Sequence, residues 1–239
     1  ANAVNPVTGE PLNLNKLDIK GLGKAKYILK EGGTLGDLYT TSDLRFNDNG
    51  YIEVDKNGNL LLTDEGDDIY LGSVFPDHNL AWRNDFSWKG INLGVLFTAR
   101  IGGICYSATQ ANMDLYGVSE ASAAARDAGG VLINGREMVD AQKWYQAIGS
   151  QSGLPQYYLY SATNVRLQEL SLGYTLPTKW FRDKMRMTVS FVGRNLWMIY
   201  CKAPFDPEAV ATTNNYYQGI DYFMMPSTRN IGFNIKINF

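Results

Sequence analysis

The segment NLAWRNDFSWKGINLGVLFTARIGG, residues 79–103, carries two apolar–polar alternations that meet across a two-residue turn. Leu80, Trp82, Phe86 and Trp88 share one face, and Arg83, Asp85 and Ser87 share the other. After Lys89-Gly90 the apolar residues are Ile91, Leu93, Val95, Phe97 and Ala99. A two-residue loop pairs Trp88 with Ile91, Phe86 with Leu93 and Trp82 with Phe97, so every large apolar side chain falls on the same side. A one-residue slip would reverse that, which makes this hairpin the tightest constraint on the fold.

The same period recurs downstream. In VRLQELSLGYTL (165–176), Leu170, Leu172, Tyr174 and Leu176 alternate with small polar residues, with a phase change at Gln168 and Glu169 that a β-bulge would produce. In KMRMTVSFVGRNLWMIY (184–200), Met185, Met187, Val189 and Phe191 alternate with Arg186, Thr188 and Ser190. The segment RNIGFNIKINF (229–239) sets Ile231, Phe233, Ile235, Ile237 and Phe239 against Asn230, Gly232, Asn234, Lys236 and Asn238. Weaker strands are expected at Lys24–Lys30 and Leu35–Phe46, for about seven in all, each amphipathic across its two faces.

Connections of two lengths separate these strands. Glu31–Thr34, Lys89-Gly90 and Pro177–Asp183 are short; Asn47–His78, Tyr106 to about Leu159, and Cys201–Ser227 are long, and the two kinds alternate strictly. Short turns on one rim and long loops on the other characterise outer-membrane β-barrels. Trp88, Trp180 and Phe181 fall at the short-turn rim, and Trp197 and Tyr200 at the long-loop rim, where membrane interfaces favour aromatics. A mean hydropathy of -0.23 accommodates this, since barrel strands are only half apolar. Because a complete bacterial barrel has an even number of strands, seven strands ending on the periplasmic side imply the last portion of a larger barrel. A start without an initiator Met or signal-peptide pattern agrees with that expectation. The competing architectures are a soluble glycan-binding β-sheet domain and a small stand-alone outer-membrane barrel.

Five stretches resemble the SusC/RagA family of TonB-dependent outer-membrane transporters of Bacteroidetes: NPVTGEPL (5–12), YLGSVFPDHNLAWRNDFSWKGINLGVLF (70–97), VRLQELSLGYTLP (165–177), GRNLWMIYCKAPFDPE (193–208) and YFMMPSTRNIGFNIKINF (222–239). The resemblance implies an all-β fold, an antiparallel transmembrane barrel portion of about seven strands out of 22, with long extracellular loops carrying short helices. It implies import of oligosaccharides or peptides, energised through TonB and assisted by a SusD-like surface lipoprotein, with no enzymatic role. The plug domain, the TonB-contacting segment and the N-terminal strands would lie elsewhere. The pattern Asn230, Gly232, Ile235, Ile237 and Phe239 is similar to the signal read by the barrel-assembly machinery, and outer-membrane lipid would cover the apolar face. Lys202-Ala203-Pro204-Phe205 departs from the family wording ahead of Asp206-Pro207-Glu208.

Other chemistries find little footing. His78 is the only histidine, which leaves no His-based metal site or Ser-His-Asp triad. A net charge of -2 without a basic block gives nucleic acid no purchase. Cys105 and Cys201, placed on strand ends one strand apart, are too far separated to bridge and are expected as free thiols. No cofactor is implied; Asp55–Asn59 and Thr63–Asp68 are the two loop stretches that offer Ca²⁺ oxygen ligands, without EF-hand spacing, and read otherwise as solvated turns. A short helix at Val139–Ile148 would present Trp144 and Tyr145 to a sugar or a lid protein, or pack its own loop. Phe205 and Asp206 are the remaining candidate contacts. On the polar face, Arg83, Asp85, Arg100, Arg186 and Arg194 would meet water or plug.

Overall fold

The computed structural model describes residues 16–63, 66–150, 152–182, 184–209 and 217–238. Phe239, the stretch 5–12 and two of the acidic-run residues, Asp64 and Glu65, lie outside these. The chain divides into two compact units. One comprises Ile104–Tyr160 with the chain up to Phe75 and Val210–Met224; the other comprises Pro76–Gly103, Ser161–Ala209 and Met225–Phe239.

The first unit opens with β1 (Lys16–Leu22), β2 (Ala25–Lys30), β3 (Asp37–Thr40) and β4 (Ile69–Ser73), an antiparallel sheet in that order. The second unit begins with the long hairpin of β5 (His78–Trp88) and β6 (Ile91–Ile101). The chain then returns to the first unit through β7 (Ile104–Ser107), α1 (Ala108–Leu115), α2 (Glu120–Asp127), the small hairpin β8 (Val131–Ile133) and β9 (Glu137–Val139), and α3 (Ala141–Ile148). β10 (Leu159–Ser161) follows, then β11 (Asn164–Thr175) and β12 (Arg186–Cys201) of the second unit. β13 (Ile220–Asp221) lies parallel to β7, and β14 (Asn230–Asn238) completes the large sheet.

That sheet has five strands in the order β14-β12-β11-β6-β5, all antiparallel. The hairpin register is the expected one: Trp88 opposes Ile91, Phe86 opposes Leu93 and Trp82 opposes Phe97. Lys89 and Gly90 both have positive φ, 50° and 89°, as a twist-matched two-residue turn requires. The bulge also falls where the phase changed, with Gln168 left over between Leu167 and Glu169 against both neighbours. One apolar row runs through all five strands by register: Phe86, Leu93, Leu172, Phe191 and Phe233. Its rings meet at the far edge, Phe191 and Phe233 packing edge to face at 5.6 Å, while Trp82 stacks on Phe97 at 5.7 Å.

The expectation of a barrel portion is not met. Among the described residues the strands form four separate open sheets, and in the largest β5 and β14 each pair on one side only. Alternation fixes which face of a strand is apolar; closure needs the two edge strands to find each other, and nothing local encodes that. The strand count also differs, because the long connections contain further short strands beside the expected helices. Residues 47–78 hold β4 and part of a meander closed by the bridges Leu44–Leu62, Phe46–Ile52 and Val54–Leu60. Residues 106–159 hold three helices capped by Ser107, Ser119 and Asp140, each side chain accepting a backbone N–H of the first turn. α3 matches the expected helix, starting after its Asp140 cap.

The structure also places the cysteines and the two acidic loop stretches. Neither Cys105 nor Cys201 forms a disulfide, as expected, but they sit on β7 and β12, in different sheets. Asp55 spends its carboxylate on its own turn, accepting from the Asn57 and Asn59 N–H groups at 2.8 Å each. Asp68 lies between the ammonium groups of Lys16 and Lys30, at 2.7 and 3.0 Å. Behind these surfaces the first unit has a true core, in which Tyr27, Leu38, Leu44, Tyr106, Leu154 and Ile220 are almost fully buried.

Gly90→Ala should destabilise the chain by about 1 kcal/mol or more, because an L side chain is strained at this φ and its Cβ would lie 2.9 Å from the Thr175 carbonyl. Gly232→Ala, whose Cβ would meet nothing within 4 Å, should change stability by less than about 0.5 kcal/mol. Denaturant midpoints of the two variants check the contrast.

Candidate functional site

On its polar side the large sheet is stitched by hydrogen bonds that run across strands. Ser87 donates to Asn92, the Asn92 amide donates to Thr175, and the Thr175 and Thr188 hydroxyls meet at 3.0 Å. Glu169, re-aimed by the bulge, accepts from Arg194 at 2.9 Å and lies 3.7 Å from Arg83, so one half-buried carboxylate joins β5, β11 and β12. Arg83 also bonds Asp85 at 2.8 Å. Arg83 with Asp85, and Arg194 with Glu169, thus pair across the polar face, while the Arg83 and Arg194 side chains, 53% and 65% exposed, still meet solvent.

At the end of β11 the polar network turns inward. Arg166 has a side chain only 4% exposed. Its guanidinium grips Asp206 with two nitrogens, at 2.9 and 3.3 Å. It also donates to Asn164 at 3.2 Å, contacts Asn195 at 3.4 Å and pairs with Glu208 at 3.1 Å. Asp206 further accepts from the Glu208 N–H at 3.0 Å and from the Ser227 hydroxyl. Asn195 stands at φ +52°, the left-handed region that asparagine tolerates, inside the β12 side of the bulge, and its amide donates to Ser227 and the Thr228 carbonyl. The strand, the DPE loop and the approach to β14 are therefore tied to one buried cation.

Burial opposes ionisation of Asp206, but the Arg166, Ser227 and Glu208 N–H bonds outweigh it and hold the carboxyl below the usual carboxylate range. Its oxygens are committed to this clamp. Phe205 and Asp206 both line a cavity of about 320 Å³, with Met198, Cys201, Asn195 and Arg229. Of the two helical candidates, Trp144 packs edge-on against Tyr157 at 6.3 Å and adjoins the core of the first unit. Tyr145 lines a second cavity among the helices. Three of the four candidates thus line cavities, Phe205 and Asp206 one and Tyr145 the other, while Trp144 packs its own loop. Asn230, Gly232, Ile235 and Ile237 all lie exposed on β14.

Arg166, Asn164, Asn195 and Glu208 went unremarked as a group in the sequence. Arg166 and the DPE triplet stand in two of the resembling motifs, but 40 residues separate Arg166 from Asp206, and no spacing rule joins them.

The fold has counterparts among solved structures. The structure of the RagAB peptide transporter superposes with a TM-score of 0.59 at 17% identity, over 95% of this chain and 24% of that one. The RagAB peptide importer in its open-open state gives 0.61 at 18%, over 95% and 24%, and in its closed-closed state 0.58 at 19%, over 95% and 25%. In sequence the chain is similar to TonB-dependent receptor P3 of Formosa agariphila, 24% identical over 196 residues, 78% of this chain and 18% of that protein. No protein-family model matches. The chain spans about a quarter or less of the length of these proteins, and the structural likeness is one of fold.

Arg166→Met should cost about 3–5 kcal/mol, since it strands the Asp206 carboxylate in a buried position. Glu208→Gln, at the exposed side of the clamp, should cost less than about 1 kcal/mol. The Asp206 contribution is present above the ordinary carboxylate range and fades as pH falls through its lowered value. Acid-unfolding curves should therefore show Asp206→Asn less stable at neutral pH and less sensitive to acid below it.

Proposed function

We propose that this chain is part of an outer-membrane active importer of oligosaccharides or peptides. The observation that carries the reading is the uncovered apolar face of the five-stranded sheet: Trp82, Phe86, Trp88, Leu172, Ile231 and Phe233 are between 53% and 80% exposed. A contiguous face of this size is costly in water. Acyl chains of the outer membrane are the medium that would cover it. Trp88, Trp180, Trp197 and Tyr200, all exposed, stand towards the strand ends, where interfacial aromatics belong. The fold likeness to RagAB transport structures, across 95% of the chain, supports the same assignment.

In this reading the chain catalyses no reaction. Energy arrives through TonB, a SusD-like surface lipoprotein cooperates at the external side, and the barrel-assembly machinery recognises the edge strand through Asn230, Gly232, Ile235 and Ile237. Phe205, beside the clamp, and Tyr145, among the helices, are the contacts left for cargo or lid, because Asp206 and Trp144 are engaged in holding their segments. Fractionation of cells producing the protein should place it in the detergent-requiring outer-membrane pool. Phe233→Asp with Ile235→Asp should lower that pool several-fold and reduce solute uptake in proportion. Recovery of the unaltered protein as a monodisperse species without detergent would defeat the proposal.

A further inference from the structure

A second cavity, separate from the one at the clamp, lies among the three helices of the first unit. It has a volume of about 200 Å³, below the usual range of pockets for drug-sized ligands. Its walls come from the end of α1 (Asp114, Leu115), from α2 (Ser122, Arg126) and from α3 (Ala141, Tyr145). Asp114 is 5% exposed, and one of its carboxylate oxygens accepts from the Gln110 amide at 2.8 Å. Arg126 sits in the last turn of α2, where the carbonyl ends favour a cation. Its guanidinium makes one long contact, 3.5 Å to the Ser122 hydroxyl. Among the described residues neither Asp114 nor Arg126 belongs to an ion pair.

A buried carboxylate and an exposed guanidinium at the rim thus line one small cavity without forming an ion pair with each other. A buried charge outside any ion pair is costly, and Gly117, at φ +69° in the left-handed turn that ends α1, donates its N–H to the Asp114 carbonyl at 3.0 Å beside the rim arginine. A Cβ there would come within 2.7 Å of the Arg126 Nη1. The carboxylate is felt by its surroundings: burial first, and then the charge of Asp114, raise the Tyr145 and Tyr160 phenols above their ordinary range. Between floor and rim the lining is mixed, with the Leu115 and Ala141 side chains apolar and the Tyr145 and Ser122 hydroxyls polar.

We propose that this cavity binds a small zwitterion of the free α-amino acid class. The ligand ammonium would donate to Asp114, the ligand carboxylate would accept from Arg126, and a short side chain would lie against Leu115 and Ala141. Volume decides against a longer ligand, and the pair of charges decides against a neutral sugar. The site shares Tyr145 with the uptake reading, but amino-acid binding is measured without membrane or transport, so the two fail separately.

Titration calorimetry on the purified chain tests it, with L-alanine and L-valine as probes and three analogues as controls. Alaninol lacks the carboxylate, N-acetylalanine lacks the ammonium, and glucose lacks both. At least one amino acid should bind saturably, and each singly charged analogue should bind at least about tenfold more weakly, the loss expected for one charge-assisted hydrogen bond. Arg126→Gln, on the exposed rim, should fold normally, weaken the amino acid about tenfold or more and leave alaninol unchanged. In Asp114→Asn, if circular dichroism shows it folded, the free amino acid should lose its advantage over N-acetylalanine. No heat with either amino acid, equal binding of glucose, or binding indifferent to Arg126→Gln would each overturn the proposal.

Discussion

The register of the five-stranded sheet is the constraint on which the second unit rests. Side chains in a strand alternate, so a slip of one residue would move Phe86, Leu93, Leu172, Phe191 and Phe233 to the polar face together. Two features hold the register. The Lys89-Gly90 turn sets it for β5 and β6, and the bulge at Gln168 resets it midway along β11. Without that bulge Arg166 would point to the same side as Leu170 and Leu172. With it, Arg166 faces inward to the clamp and Glu169 faces the arginines of the neighbouring strands.

The two units solve the problem of apolar surface differently. The first buries its apolar residues in an ordinary core beneath β1–β4 and the capped helices. The second has a row of rings on one face and a hydrogen-bonded polar lattice on the other, and the rings remain exposed. Hydrophobic burial cannot be what orders such a sheet in water, at roughly 25 cal/mol per Å² of area removed from solvent. Backbone ladders, cross-strand pairs and the Arg166 clamp order it, and the proposed outer-membrane setting supplies the missing burial.

The clamp also shows how a buried ion pair serves specificity. Desolvating Arg166 and Asp206 offsets much of their attraction, so the pair adds little net stability over an apolar substitute. What it adds is a unique arrangement: the planar guanidinium accepts only a geometry in which Asn164, Asn195, Asp206 and Glu208 all converge. The DPE loop is thereby held at one place on the sheet.

Much of this was legible in the residues alone. Strand positions in the second unit, the hairpin register, the bulge, the α3 helix and the amphipathic faces all follow from local period and turn chemistry, which act over a few residues. The seven-strand barrel, by contrast, came from counting connections, which neither reveals the short strands within them nor says whether the sheet edges meet. Ser107 and Ser119 were readable as helix caps ahead of Ala-rich stretches, but β7 and β13 are short, and their pairing joins residues more than a hundred positions apart. Sheet closure, the meeting of Arg166 with Asp206, and the gathering of Asp114 and Arg126 around one cavity are likewise non-local. A sequence states which side of each element is apolar, because that is a property of neighbours in the chain. Which elements meet is decided by packing and edge pairing across the whole molecule, and only the tertiary structure records that choice.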